Sequence, residues 1–132
     1  MRVEVYRSAA GVLWWREEER IWHLQPSAGH EATAAEAEEF VATAERFLGG
    51  ARAPLLLDRS HSYSPSFAAL QTIAAPAPRF ISAIAYYAPT AEARAASRTV
   101  METFVKRMMP DVEIFDNEAE AMRWLVSRVG TT

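Results

Sequence analysis

The sequence predicts one α/β domain spanning residues 1–132, with an antiparallel hairpin at the start of a mixed sheet and parallel strands after it. Three observations predict it. The first third of the chain carries short strand-like apolar runs around a charged turn. The rest alternates helix-spaced apolar positions with short runs that are apolar on both faces. Half of the 132 residues are apolar, enough for one cooperative core without disulfide or metal staples.

The elements follow in order. Val3 to Tyr6, Val12 to Trp15 and Ile21 to Leu24 read as strands, the last two joined by the turn Arg16-Glu17-Glu18-Glu19-Arg20. Thr33-Ala34-Ala35-Glu36 has capping-box spacing, in which threonine oxygen and glutamate each satisfy an unpaired amide at a helix start. Ala37, Phe40, Val41, Ala44, Phe47 and Leu48 recur at three- and four-residue steps, and Gly49-Gly50 supplies a left-handed stop. Pro54-Leu55-Leu56-Leu57, ending at Asp58, is apolar on both faces and reads as an internal strand. A serine-rich loop leads to Ser64-Pro65, a cap and first-turn proline, and a short helix toward Ala74 that Ala75-Pro76-Ala77-Pro78 ends. Phe80 to Tyr87 is a second internal strand. After Pro89-Thr90 a long helix carries Ser97, Val100, Met101, Phe104, Val105 and Met108 on one stripe, with Lys106 and Arg107 near its negative end and Pro110 as its exit. The strand Val112 to Phe115 and a helix from Glu118 to about Arg128, with Met122, Leu125, Val126 and Val129 inward, complete the domain.

Composition narrows the function classes. A net charge of −3 supplies no basic footprint for nucleic acid or an anionic membrane surface, so no nucleic-acid partner is expected. The chain has no cysteine, which removes disulfides, thiolate metal sites and cysteine nucleophiles and suits a cytoplasmic setting. The start, Met1 to Tyr6, lacks the apolar stretch of a secretory signal, and no run approaches the roughly 18 apolar residues of a membrane span. His23, His30 and His61 have neither helix nor strand chelate spacing, so no metal is expected, nor any cofactor.

The hairpin with Gly11-Val12-Leu13-Trp14, the strand Pro54-Leu55-Leu56-Leu57-Asp58 and the ending Ile114-Phe115-Asp116-Asn117-Glu118-Ala119-Glu120-Ala121-Met122-Arg123-Trp124-Leu125 resemble the SpoIIAA-like superfamily, the fold of sulfate transporter and anti-sigma-factor antagonist (STAS) domains, in a small stand-alone form. The resemblance covers nearly the whole chain. It implies non-catalytic work, the binding of a protein partner, often switched by phosphorylation of a serine at the helix start after the strand ending at Asp58. It also implies helices stacked mainly on one side of the sheet, and some relatives resemble lipid carriers. Where antagonists carry Asp-Ser-Ser-Gly, this chain has Tyr63-Ser64-Pro65-Ser66-Phe67, a departure at the switch position.

Two loops at the carboxyl ends of parallel strands are where partners or ligands of such sheets meet the fold: Pro89 to Glu92, and the segment after the Leu55 strand. In the latter, Asp58, Arg59, Ser60, His61, Ser62 and Tyr63 form the candidate partner or ligand loop. Ser64 and Ser66 are candidate phosphate acceptors at a helix N-terminus, against the plainer role of capping. Asp58, His61 and Ser64 supply the residue types of a hydrolase, but no glycine-flanked nucleophile turn accompanies them, so no catalytic residue is assigned and no enzyme is expected. Trp14 and Trp15 are adjacent in one strand and must face opposite ways, with Trp22 on the partner strand. Together they form a candidate interface. The resulting expectation is a regulatory or scaffolding domain that binds a protein partner and forms a homodimer. The alternative is a module for a small apolar ligand, which an enclosed apolar cavity would favour although a chain of 132 residues leaves little room for one.

Overall fold

Arg16 and Ile21 face each other across the charged turn, closing the predicted hairpin with Trp14 opposite His23 and Trp15 opposite Trp22. The computed structural model of the chain describes residues 1–60, 67–106, 109 and 111–130. Its strands are β1 (Arg2–Ser8), β2 (Gly11–Arg16), β3 (Ile21–Pro26), β4 (Ala53–Asp58), β5 (Ile81–Tyr87) and β6 (Val112–Phe115). Its α-helices are α1 (Ala34–Leu48), α2 (Phe67–Ala74), α3 (Ala91–Val100) and α4 (Glu118–Val126). A π-helical turn, Met101–Val105, extends α3, and a 3₁₀ turn, Ala77–Arg79, precedes β5.

The strands lie in sequence order in one six-stranded sheet, antiparallel from β1 to β3 and parallel from β3 to β6. Right-handed crossovers that always step the same way put every connecting helix on the same side. Accordingly α1, α2 and α3 pack on one face, called inner here, against two cross-strand ladders. One runs Trp15, Trp22, Leu55, Ile84, Val112 and the other Leu13, Leu24, Leu57, Tyr86, Ile114. Helix α4 folds over the outer face, where Ala121 and Leu125 meet Ile21, Leu56 and Ala85. The apolar outer side of β4 and β5 is therefore covered within the chain by α4.

Local signals act as read. Thr33 Oγ accepts from the Glu36 amide at 3.1 Å while Glu36 Oε1 accepts from the Thr33 amide at 3.0 Å, completing the capping box. Gly49 closes α1 in the left-handed conformation. At Gly11 a side chain is impossible, because a Cβ there would lie 2.4 Å from the Gln25 carbonyl oxygen. Three expectations are corrected. The strand begins at Ile81, not Phe80, because Phe80 ends the 3₁₀ turn with its amide on the Ala77 carbonyl. Phe47 is 42% exposed at the end of α1, although it stacks on both Trp15 and Trp22. Val126, expected inward, is 49% exposed because α4 turns it away from the sheet. Arg107, Met108 and Pro110 and the Phe104 side chain lie outside the described residues. No helix among the described residues is long and apolar enough to cross a membrane.

Candidate functional site

Alternation along β4 sends Leu55, Leu57 and Arg59 inward and Leu56 and Asp58 outward, so neighbours in the candidate loop serve opposite faces of the sheet. On the outer face Asp58 meets a residue that the loop reading missed. His23 of β3 is 4% exposed, and its Nε2 stands 3.6 Å from Asp58 Oδ2. The other carboxylate oxygen, Oδ1, accepts from the Ser60 amide at 3.0 Å and the Ser60 hydroxyl at 2.5 Å. Burial pushes the Asp58 carboxyl up, but His23 and the two Ser60 donors outweigh it and hold the group at about 2. His23 stands opposite Trp14 across the hairpin, and no signal in the sequence paired it with Asp58.

This geometry gives a carboxylate fixed between a serine and a histidine, with the carboxylate in the middle. A hydrolytic triad needs the histidine between serine and carboxylate, so these three do not make a nucleophile. His61, Ser62, Tyr63, Ser64 and Ser66, including two members of the sequence-level triad and both candidate phosphate acceptors, lie outside the described residues. Among the described residues no three His, Asp or Glu side chains converge to hold a metal ion.

The hairpin tryptophans divide by face. Trp15 and Trp22 lie under α1, 2% and 0% exposed, with rings 5.1 Å apart edge to face. Trp22 Nε1 donates to the Phe80 carbonyl at 3.0 Å and Trp15 Nε1 to Glu17 at 2.6 Å. Both are core residues, which removes them from the candidate interface. Trp14 alone of the three faces outward, half-buried, with Arg2 stacked 4.0 Å over its ring and its Nε1 donating to Gln25 at 2.7 Å. The outer side of β1 to β3 around it carries Arg2, Arg16, His23 and Gln25 and forms an open polar groove that reaches Glu118 of α4.

The inner face holds the larger departure from expectation. An apolar cavity of about 100 Å³ lies between the sheet and the helices. Leu55, Leu57, Ile81, Ile84 and Tyr86 form its floor, and Phe40, Leu70, Ile73, Ala74, Val100, Val105 and Met109 its walls and roof. Arg59 is the one charged side chain among the described residues that line it. A second cavity of about 50 Å³ lies toward β1 and the start of α1, bordered by Tyr6, Ser8, Ala32 and Glu36. Leu24, Phe40 and Ile73 line both. The void has a local cause: at the end of α2 and in the turn after it Ala74 and Ala77 line the space, which larger side chains would fill.

These features define a class: a sequential α/β sheet with three of the described helices on one face, a closing helix on the other, and a hollow beneath α2. The chain belongs to the family described as Domain of unknown function (DUF7793), whose model matches residues 13–128, from the middle of β2 to just past α4. No curated protein and no solved structure matches it.

Proposed function

We propose that this domain is a non-enzymatic binding module that takes a small apolar ligand into the cavity beneath α2. The observation that carries this reading is the cavity itself, about 100 Å³ and almost wholly apolar. That is the order of the roughly 150 Å³ apolar cavity that stays dry in an engineered protein and takes up benzene or xenon. Of the two inner-face cavities it is the larger, and Arg59 is the one charged side chain among the described residues that line it. Titration with benzene followed by methyl NMR tests it: saturable shifts should concentrate on Leu55, Leu57, Ile81 and Ile84. Shifts that grow linearly, or that spread evenly over the surface, would refute the reading.

A second reading is favoured by a different surface. A cytoplasmic regulatory domain that binds a protein, as a homodimer or with another chain, would use the open outer side of β1 to β3, where Trp14 remains half-buried and accessible. Aromatic side chains of this kind anchor interfaces because they bury much area for little lost entropy. Light scattering at micromolar concentration with Trp14→Glu beside the parent separates the readings. A parent of dimer mass that the substitution dissociates would support the second, and a parent of monomer mass would exclude the homodimer.

A further inference from the structure

Of the two cross-strand rows on the inner face, only one is sealed. Trp15, Trp22, Leu55, Ile84 and Val112 are all 7% exposed or less. The row two residues further along β3, β4 and β5 lies nearer the carboxyl ends, where open α/β sheets take their ligands. It leaves Leu24 and Leu57 half-buried although helices lie over it. This second row is continuous across five strands: Tyr6 faces Leu13, Leu13 faces Leu24, Leu24 faces Leu57 and Leu57 faces Tyr86. The smaller cavity touches the first three of these residues and the larger touches the last three, with Leu24 common to both. Phe40 of α1 and Ile73 of α2 also line both, so they stand over the junction. The two hollows are therefore parts of one trough that runs across the strands and narrows at Phe40 and Ile73.

Resting on the apolar-ligand reading above, we propose that the ligand is a single unbranched alkyl chain that lies across the strands and fills both hollows, with Ile73 the residue that admits it from one to the other. Shape sets the class. A chain one methylene thick passes the junction under Phe40 and Ile73, whereas a ring or a branched group is held in the larger hollow. Sheet geometry sets the length. The middles of the two hollows lie two strands apart, roughly 10 Å at ordinary strand spacing. With carbon–carbon bonds of about 1.5 Å in a zigzag, roughly eight carbons reach from one to the other.

Calorimetric titration of the whole chain with straight-chain primary alcohols from butanol to decanol, together with methyl NMR of the same mixtures, tests the proposal. Each buried methylene is worth about fourfold in affinity, so binding should tighten by about that factor per carbon up to octanol and then level off. Butanol should shift the methyls of Leu57 and Ile84 alone, and octanol those of Leu13 as well. Cyclohexylethanol, which has the same carbon count as octanol, should bind no tighter than hexanol and leave Leu13 unmoved. Ile73→Phe, which thickens the junction, should end the rise near pentanol and leave butanol binding in place. If Ile73→Phe does not fold, the length series and the cyclohexylethanol comparison in the parent protein still decide. A rise that ends near pentanol in the parent, or cyclohexylethanol binding as tightly as octanol, overturns the proposal and leaves the apolar-ligand reading standing. Uptake of benzene with no binding of any alcohol does the same. Failure of benzene and of every alcohol removes both.

Discussion

The two faces of this sheet are filled by different means. On the outer face a single helix brings Ala121 and Leu125 against Ile21, Leu56 and Ala85, all five fully buried, and small side chains let the backbones approach closely. On the inner face three helices and the largest aromatic residues, Trp15, Trp22, Phe40 and Phe80, pack edge to face, yet a cavity remains beneath α2. Number of covering helices and size of side chains therefore do not decide how well a face is filled. Local fit does, and it fails where α2 ends in a turn made of alanine and proline.

The aromatic end of the inner layer should be the most sensitive part of the chain. Trp22→Ala should cost about 3–5 kcal/mol in chemical denaturation, from lost burial and the bond to the Phe80 carbonyl. Trp14→Ala, on the outer face of the same hairpin, should cost under about 1 kcal/mol, chiefly the stacking of Arg2. Comparable costs at the two positions would break the division of the tryptophans between core and surface.

One substitution placed on both faces sharpens the contrast between packed and hollow regions. Ala85→Leu, beneath α4, should destabilise by about 1–3 kcal/mol because no space receives the added atoms. Ala74→Leu, at the cavity wall, should be neutral within about 0.5 kcal/mol or stabilising. A similar loss at Ala74 would mean that the hollow closes in solution.

Acid acts on the outer face through Asp58. The Asp58 carboxyl is held at about 2 against an ordinary 3.8, so its contribution is fully present above 3.8 and is lost as pH falls through 2. That contribution is on the order of 1–2 kcal/mol. Asp58→Asn should remove the corresponding slope from denaturation midpoints measured between pH 4 and 2. Glu36, also held at about 2 by His30 and the Thr33 amide, keeps its own slope in that variant. An unchanged profile would show that Asp58 does not feel His23 and Ser60.

A modest loss is expected at the start of α1. Thr33→Ala should cost about 1 kcal/mol through the lost cap, read as a lower denaturation midpoint, and Thr33→Ser should restore it.

Much of the fold was legible because it rests on local chemistry. The capping box at Thr33, the glycine stop at Gly49 and the doubly apolar runs of β4 and β5 each state an element in a few residues. What stayed hidden depends on distance along the chain. His23 meets Asp58 only after β3 and β4 pair in parallel, and no spacing rule links two residues separated by a helix. The division of the tryptophans was half legible, since alternation requires Trp14 and Trp15 to face opposite ways without saying which face the helices cover. The cavity was least legible of all. It is an absence of atoms between α2 and the sheet, and alanine at positions 74 and 77 reads equally well as close packing or as a void.

Xenon uptake tests the hollow inner layer most directly. Under a few atmospheres of xenon, methyl resonances of Leu55, Ile81 and Ile84 should shift and saturate, those of Leu125 on the outer face should stay fixed, and Ala74→Leu should abolish the effect. Uniform small shifts on both faces, unchanged by Ala74→Leu, would contradict the presence of a binding cavity.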